Sequence, residues 1–169
     1  MKGQKVIFVV LGLALVGAVF LIAIDEGAFN GGEPAVFAGR NDFDSAVSEA
    51  KVDGRIVVVD MMASWCPPCR EMDRRVWVDT GVVSWLDENA VAVQVDVDKD
   101  EKTASRFGIE AMPTIIAFDA VNGVELDRHV GYLEAVDLLA WLDLVKRSRR
   151  MSDEESGGIS ESDDGDGDH

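Results

Sequence analysis

Residues 56–62, Ile-Val-Val-Val-Asp-Met-Met, form an apolar run broken only by Asp60. Continuous rather than alternating hydrophobicity over so short a stretch is the pattern of a central strand covered on both faces. Three residues further on comes Trp65-Cys66-Pro67-Pro68-Cys69. Proline is tolerated in the first turn of a helix, so a helix is expected to start at the cysteines and to run to about Val76. A buried strand that feeds directly into a helix is the opening of an α/β arrangement.

The flanking sequence extends this pattern. Asn41 or Asp42 caps an expected helix with Phe43, Ala46, Val47 and Ala50 on one face. A second helical stretch follows Asp79, from Thr80 to about Glu88. Val91–Val97 is the next expected strand, and the polar stretch 98–106 leads through a short helical segment to Gly108. Thr114–Phe118 and Val124–Val130 flank Asn122-Gly123, a strong hairpin signal. A last helix is expected from Leu133 to Arg150, with Leu138, Leu139, Trp141, Leu142 and Val145 facing the core. With a short first strand at Ala35–Phe37, the order is β-α-β-α-β-α-β-β-α. This is an α/β fold in which helices flank a central mixed sheet.

Cys66 and Cys69 are the only two cysteines. A disulfide framework needs more of them, and a loop this small adds little stability through chain entropy. Chemistry is the better explanation. A disulfide is opened by a thiolate, and exchange needs a second thiol in reach to resolve the mixed disulfide. At a helix start the first sulfur lies at the exposed N-terminus, near unsatisfied N–H groups and the positive end of the helix dipole. The second lies one turn in. Cys66 is therefore assigned as attacking thiolate and Cys69 as resolving thiol. Pro67 and Pro68 have no N–H, so only the amide of Cys69 remains to donate to the Cys66 sulfur. Fewer donors stabilise the thiolate less, which argues for a donor of electrons rather than an oxidant. No cofactor is expected. A zinc site needs four ligands, and His129 and His169 are the only histidines. The remaining metal reading is a copper(I) site formed by Cys66, Cys69 and His129.

Val6–Ile24 is nineteen residues without a charge, long enough as a helix to span roughly 28 Å of hydrocarbon. Lys2 and Lys5 precede it and Asp25 and Glu26 follow, so the N-terminus is expected in the cytoplasm and the remainder outside it. A cleaved signal peptide is the competing reading, but its apolar core is shorter and ends in small residues, which Phe20–Ile24 does not offer. The expected organisation is a cytoplasmic N-terminus at 1–5, a transmembrane helix at 6–24, a linker at 25–39, a folded domain at 40–150 and a disordered acidic tail at 151–169. The chain carries 32 acidic and 16 basic side chains, a net charge of −16, which argues against nucleic acid as a partner. The tail alone holds eight acids and neither Lys nor Arg. The basic run Lys146–Arg150 reads as cations at a helix C-terminus.

Four local patterns, in order, resemble the thioredoxin superfamily across about residues 40–148. They are Ile56–Asp60 followed by Ala63-Ser64-Trp65-Cys66, the Cys66–Cys69 motif followed by Arg70, Gly108-Ile109 followed by Met112-Pro113-Thr114, and Val130-Gly131. The resemblance implies a thioredoxin-like fold and roles for individual residues. Asp60 corresponds to a buried carboxylate beneath the second cysteine, where it acts through water as the base for Cys69; a solvated aspartate is the bland alternative. Pro113 follows a cis peptide bond and lies against the cysteines. Met112 offers its backbone to an extended substrate strand. Trp65 shields Cys66 or is simply a core aromatic. Gln94 stands where a lysine often faces the buried acid. The stretch Val76–Asp79, with Val82-Val83 and Trp85-Leu86, resembles the exported C-terminal domain of DsbD and its single-anchor relatives.

These readings converge on a membrane-anchored, extracytoplasmic or periplasmic thiol–disulfide oxidoreductase that reduces disulfides of exported client proteins and is recharged by a membrane electron donor. The rivals are a disulfide-forming oxidant running the cycle in reverse and a copper(I) chaperone.

Overall fold

The computed structural model describes residues 33–157. The expected anchor at 6–24 and residues 158–169 of the expected tail lie outside the described residues. Helix α1 is Phe43–Asp53, strand β1 Ile56–Met62, α2 Pro67–Arg75, α3 Thr80–Asn89, β2 Ala90–Asp96, α4 Glu101–Phe107, β3 Thr114–Asp119, β4 Val124–Val130 and α5 Ala135–Gly157.

The four strands lie in the order β2-β1-β3-β4. β1 runs parallel to β2 and antiparallel to β3, and β4 closes the sheet antiparallel to β3. All seven residues of β1 are buried, as expected for a central strand covered twice. Alternation of side chains divides them between two cores. Val57, Val59 and Met61 pack with Phe43, Ala46 and Ala50 of α1 and with Phe107 of α4. Ile56 and Val58 pack with Met72 of α2, Val82 and Leu86 of α3, and Leu138, Leu142 and Val145 of α5. Asp60 shares the parity of the second set, so its carboxyl points into the layer beneath α2. The mixed sheet flanked by helices is the architecture the sequence implies.

The helix starts follow local chemistry. Asp42 Oδ1 accepts from Ser45 N at 2.7 Å, Asp79 Oδ1 from Gly81 N and Val82 N, and Asp100 Oδ1 from Thr103 N. Each cap satisfies donors that the first turn leaves unpaired. The β3–β4 hairpin is present, but its loop is four residues long. Asp119, 1 % exposed, organises that loop by accepting from Val121 N, Asn122 N and Asn122 Nδ2, and its other partner is Arg149 Nε at 3.1 Å.

Three expectations need correction. Ala35–Phe37 forms no strand. Phe37 N bonds back to Pro34 O and Arg40 N to Phe37 O, and Ala38 and Gly39 take positive φ, so the segment turns instead of extending. It is also more than linker. Phe37 is fully buried edge-on to Trp77, with ring centroids 5.2 Å apart, and Gln94 N donates to Arg40 O at 3.0 Å. The packed domain therefore begins before residue 40. At the other end α5 continues to Gly157 rather than stopping at Arg150. Ser152 Oγ bonds to Ser148 O, and Arg149 faces Asp153 at 3.9 Å one turn on. The basic run 146–150 consequently lies within the helix, not at its end. There Arg149 serves tertiary structure, bonding Asp119 and Gly54 O.

Candidate active site

The two cysteines sit where β1 hands over to α2. Cys66 is the N-cap of α2, with Pro67 and Pro68 in the first turn. Its sulfur is joined to that of Cys69, with S–S 2.13 Å and Cα atoms 5.4 Å apart. The amide of Cys69 reaches Cys66 Sγ at 3.3 Å. That is the single donor the two prolines leave in place. Arg70 Nη1 donates to Ser64 O, fastening the loop before the disulfide to the first turn of the helix.

In this disulfide state Cys66 is less accessible than its helix-terminal position suggests. It is only 2 % exposed, against 1 % for Cys69. Met62 and Ala63 from the end of β1 enclose the pair, and Val97 and Met112 pack against it. Trp65 is not a core aromatic. It is 60 % exposed, and its Nε1 donates to Asp98 Oδ2 at 2.7 Å, which holds the indole at the mouth of the site.

The Met112–Pro113 peptide is cis, as the resemblance implies. Pro113 is buried, Met112 is half-buried, and Pro113 O accepts from Gly131 N at 2.8 Å. Gly131 has φ +105°, a backbone conformation that favours glycine, so the residue suits the place where β4 ends beside the proline loop. The neighbouring Val130 is 55 % exposed. Met112 packs against the enclosed disulfide, and Trp65 and Val130 each leave apolar surface exposed.

Asp60 is 1 % exposed, which rules out a solvated aspartate. Burial pushes its pKa up to about 7, and the charge of Asp73 adds to the rise. The hydrogen bond from Gln94 Nε2 to Oδ2, 3.0 Å, works in the opposite direction, as does the nearby Trp77 indole. Asp60 Oδ1 and Trp77 Nε1 nevertheless lack a hydrogen-bond partner of ordinary geometry. Gln94 pairs with Asp60 across the β1–β2 ladder, so the expected facing relationship is present. A carboxyl that titrates near neutrality can both take up and give back a proton, which is what a base for Cys69 requires.

Asp73, Trp77 and Asp98 are absent from the sequence-derived site. Asp73 lies one helical turn beyond Cys69 and shares its face of α2, a spacing that could have flagged it. Its Oδ1 accepts from the same Gln94 Nε2 at 2.8 Å, and burial raises its pKa as well. Asp98 carries no local signal, because only the fold brings it to Trp65. Among the described residues no three His, Cys, Asp or Glu side chains cluster so as to hold a metal ion.

A family profile for the thioredoxin-like domain matches residues 43–146, more than half of the chain. The chain belongs to the thioredoxin-like domain family. Within that family it is 33 % identical over 94 residues to a protein named Thioredoxin H-type from Oryza sativa subsp. indica, an overlap of 54 % of this chain and 70 % of the relative. It is 32 % identical over 162 residues to the thiol:disulfide interchange protein DsbD of Ralstonia nicotianae, covering 82 % of this chain but only 26 % of that protein. In three dimensions the thioredoxin-like domain resembles the solution structure of a thioredoxin from Thermus thermophilus, with a TM-score of 0.57 and 28 % identity over 62 % of this chain and 84 % of the other.

Proposed function

We propose that this protein is a protein-disulfide reductase, held by residues 6–24 at the outer face of a membrane and acting on exported proteins. The observation that carries the reading is the Cys66–Cys69 disulfide at the start of α2, in a domain whose buried Asp60, linked through Gln94 to Asp73 on the same helix, titrates near neutral pH. Membership of a family with thioredoxin and DsbD relatives supports thiol–disulfide exchange as the chemistry.

The cycle balances without a cofactor. In the reduced protein the Cys66 thiolate attacks one sulfur of a client disulfide. The client S–S bond breaks, a Cys66–client disulfide forms, and the second client sulfur leaves as a thiolate that takes a proton from water. Asp60 accepts the Cys69 proton through water, and the Cys69 thiolate attacks Cys66 Sγ. The client leaves fully reduced, and the Cys66–Cys69 disulfide carries the two-electron oxidation. A membrane electron donor then restores the dithiol. The structure corresponds to the oxidised end of this cycle.

The direction of flow rests on Pro67 and Pro68. They remove two amide donors from the neighbourhood of Cys66 Sγ and leave only Cys69 N. A weakly stabilised thiolate makes the dithiol the better reductant. Equilibration with glutathione buffers of known poise measures this. The expected potential is below about −200 mV, and a value near that of the strong oxidant DsbA, about −120 mV, overturns the direction.

A further inference from the structure

The outer face of α5 has no partner within the domain. Leu138, Leu142 and Val145 turn inward to the core, and Arg149 turns to Asp119. Val136, Leu144 and Met151, by contrast, are 71, 58 and 63 % exposed, and Ala140 is exposed with them. At helical spacing, positions 136, 140, 144 and 151 fall within about 80° of one another, on the side away from the sheet. The helix therefore carries two apolar stripes, and the domain covers only one.

The charges beside the uncovered stripe divide by sign along the helix. Asp137 and Asp143 lie toward its start, and Arg147 and Arg150 follow one to two turns later, all four exposed. Asp137, Arg147 and Arg150 belong to no ion pair among the described residues. Asp143 and Arg147 have the spacing and order that favour pairing on one helix. Here Asp143 Oδ1 accepts from Trp85 Nε1 at 2.8 Å instead, and Arg147 Nε donates to Asp143 O.

A stripe of this kind is complementary to a copy of itself running in the opposite direction. Reversal sets the acidic half against the basic half, whereas an anionic lipid surface would repel Asp137 and Asp143. With Arg150 opposite Asp137, Met151 falls opposite Val136. Arg147 then lies opposite Ala140, between Asp137 and Asp143, where the small side chain leaves room for its stem. The two Leu144 side chains meet next to the two-fold axis, and the symmetry repeats every contact. Asp153 comes level with Glu134 of the other copy, but it is turned toward its own Arg149, 3.9 Å away.

We propose that the outer face of α5 is a self-association surface through which two copies of this chain pair antiparallel. Val136, Ala140, Leu144 and Met151 form its apolar centre, and Arg147 and Arg150 of each copy reach Asp137 and Asp143 of the other. α5 starts just after Gly131, whose N–H bonds to Pro113 O beside the cysteines, and its Arg149 reaches Gly54 O at the opposite end of β1. Antiparallel pairing thus sets the two disulfides at opposite ends of the dimer. The contact is one helix wide, at the small end of specific interfaces, so the expected dissociation constant is roughly micromolar or weaker.

The test is sedimentation equilibrium of the full-length protein in density-matched detergent micelles, at concentrations from about 1 μM to about 1 mM. Wild type is expected to pass from monomer to dimer within that range. Arg150→Asp places like charges opposite each other at two symmetric positions and is expected to weaken the dimer about tenfold, as is Asp137→Arg. The variant carrying both changes restores opposite charges and is expected to return to within about threefold of wild type. Leu144→Asp sets two carboxylates against each other at the axis and is expected to abolish the dimer. Urea unfolding checks that each variant folds, and if Leu144→Asp does not, the charge series decides alone. A wild-type protein that stays monomeric throughout overturns the proposal and leaves this face to a different protein. A dimer that none of the variants weakens also overturns it, because the copies then meet elsewhere. Failure of the doubly exchanged variant to recover overturns the antiparallel pairing.

Discussion

Replacing Asp60 with Asn should make the protein more stable, by an amount that depends on pH in a defined way. Folded, the carboxyl titrates near 7; its ordinary value is 3.8. Below about pH 4 it is protonated in both states and contributes no pH dependence. Between about 4 and 7 the folded protein keeps a proton that the unfolded chain has shed. Stability therefore falls with rising pH, by about 1.4 kcal/mol per pH unit. Over roughly three pH units the loss is on the order of 4 kcal/mol, complete by about pH 8. Asparagine is neutral throughout and keeps an oxygen able to accept from Gln94 Nε2. Titrating groups that do not interact with Asp60 are common to both proteins and cancel in the difference. Urea unfolding of the two oxidised proteins at pH 4, 6 and 8 should show a gap near zero at pH 4 that widens to roughly 4 kcal/mol at pH 8. A gap that is constant with pH, or largest at pH 4, refutes the account of Asp60 as a buried acid forced to ionise.

Two further substitutions test the packing around the site. Phe37→Ala removes a fully buried ring stacked edge-on against Trp77 and should cost about 3–5 kcal/mol in urea unfolding; a change below about 1 kcal/mol would return residues 33–39 to the status of linker. Asp119→Ala strips Arg149 and three hairpin donors of their shared acceptor and should cost about 3 kcal/mol, with the loss seen first as faster amide exchange at Val121 and Asn122. An unchanged stability there would mean that water replaces the carboxylate without penalty.

The parts of the fold legible in the sequence are those with a local cause. The run at 56–62 shows its double burial because a strand covered on both faces has no room for polar alternation. Asp42 and Asp79 mark helix starts because capping is settled within four residues. The cysteine pair is legible for the same reason, being a short pattern with a short-range consequence, whereas the cis proline and the place of Gly131 follow from the family resemblance. The failures share the opposite cause. Ala35–Phe37 has strand-like residues, but its fate is decided by the pocket around Trp77, forty residues away. The acidic composition after Arg150 argues for disorder, yet α5 is already anchored by Leu138, Leu142 and Val145 and by Arg149 on Asp119, so its continuation starts from an existing helix. Cys66 looked exposed because a helix N-terminus usually is, and only the tertiary contacts of Met62 and Met112 show otherwise. The Asp73–Gln94–Asp60 contacts and the Asp98–Trp65 bond join elements distant in sequence, which no spacing rule reaches.

The central claim is that Cys66 attacks and Cys69 resolves. Mixed-disulfide trapping tests it most directly: each cysteine is replaced singly by Ala in the full-length protein, and adducts to client proteins are collected after acid quenching and mapped by mass spectrometry. The account predicts stable adducts through Cys66 in Cys69→Ala and few or none in Cys66→Ala. Adducts that accumulate in Cys66→Ala but not in Cys69→Ala would contradict it.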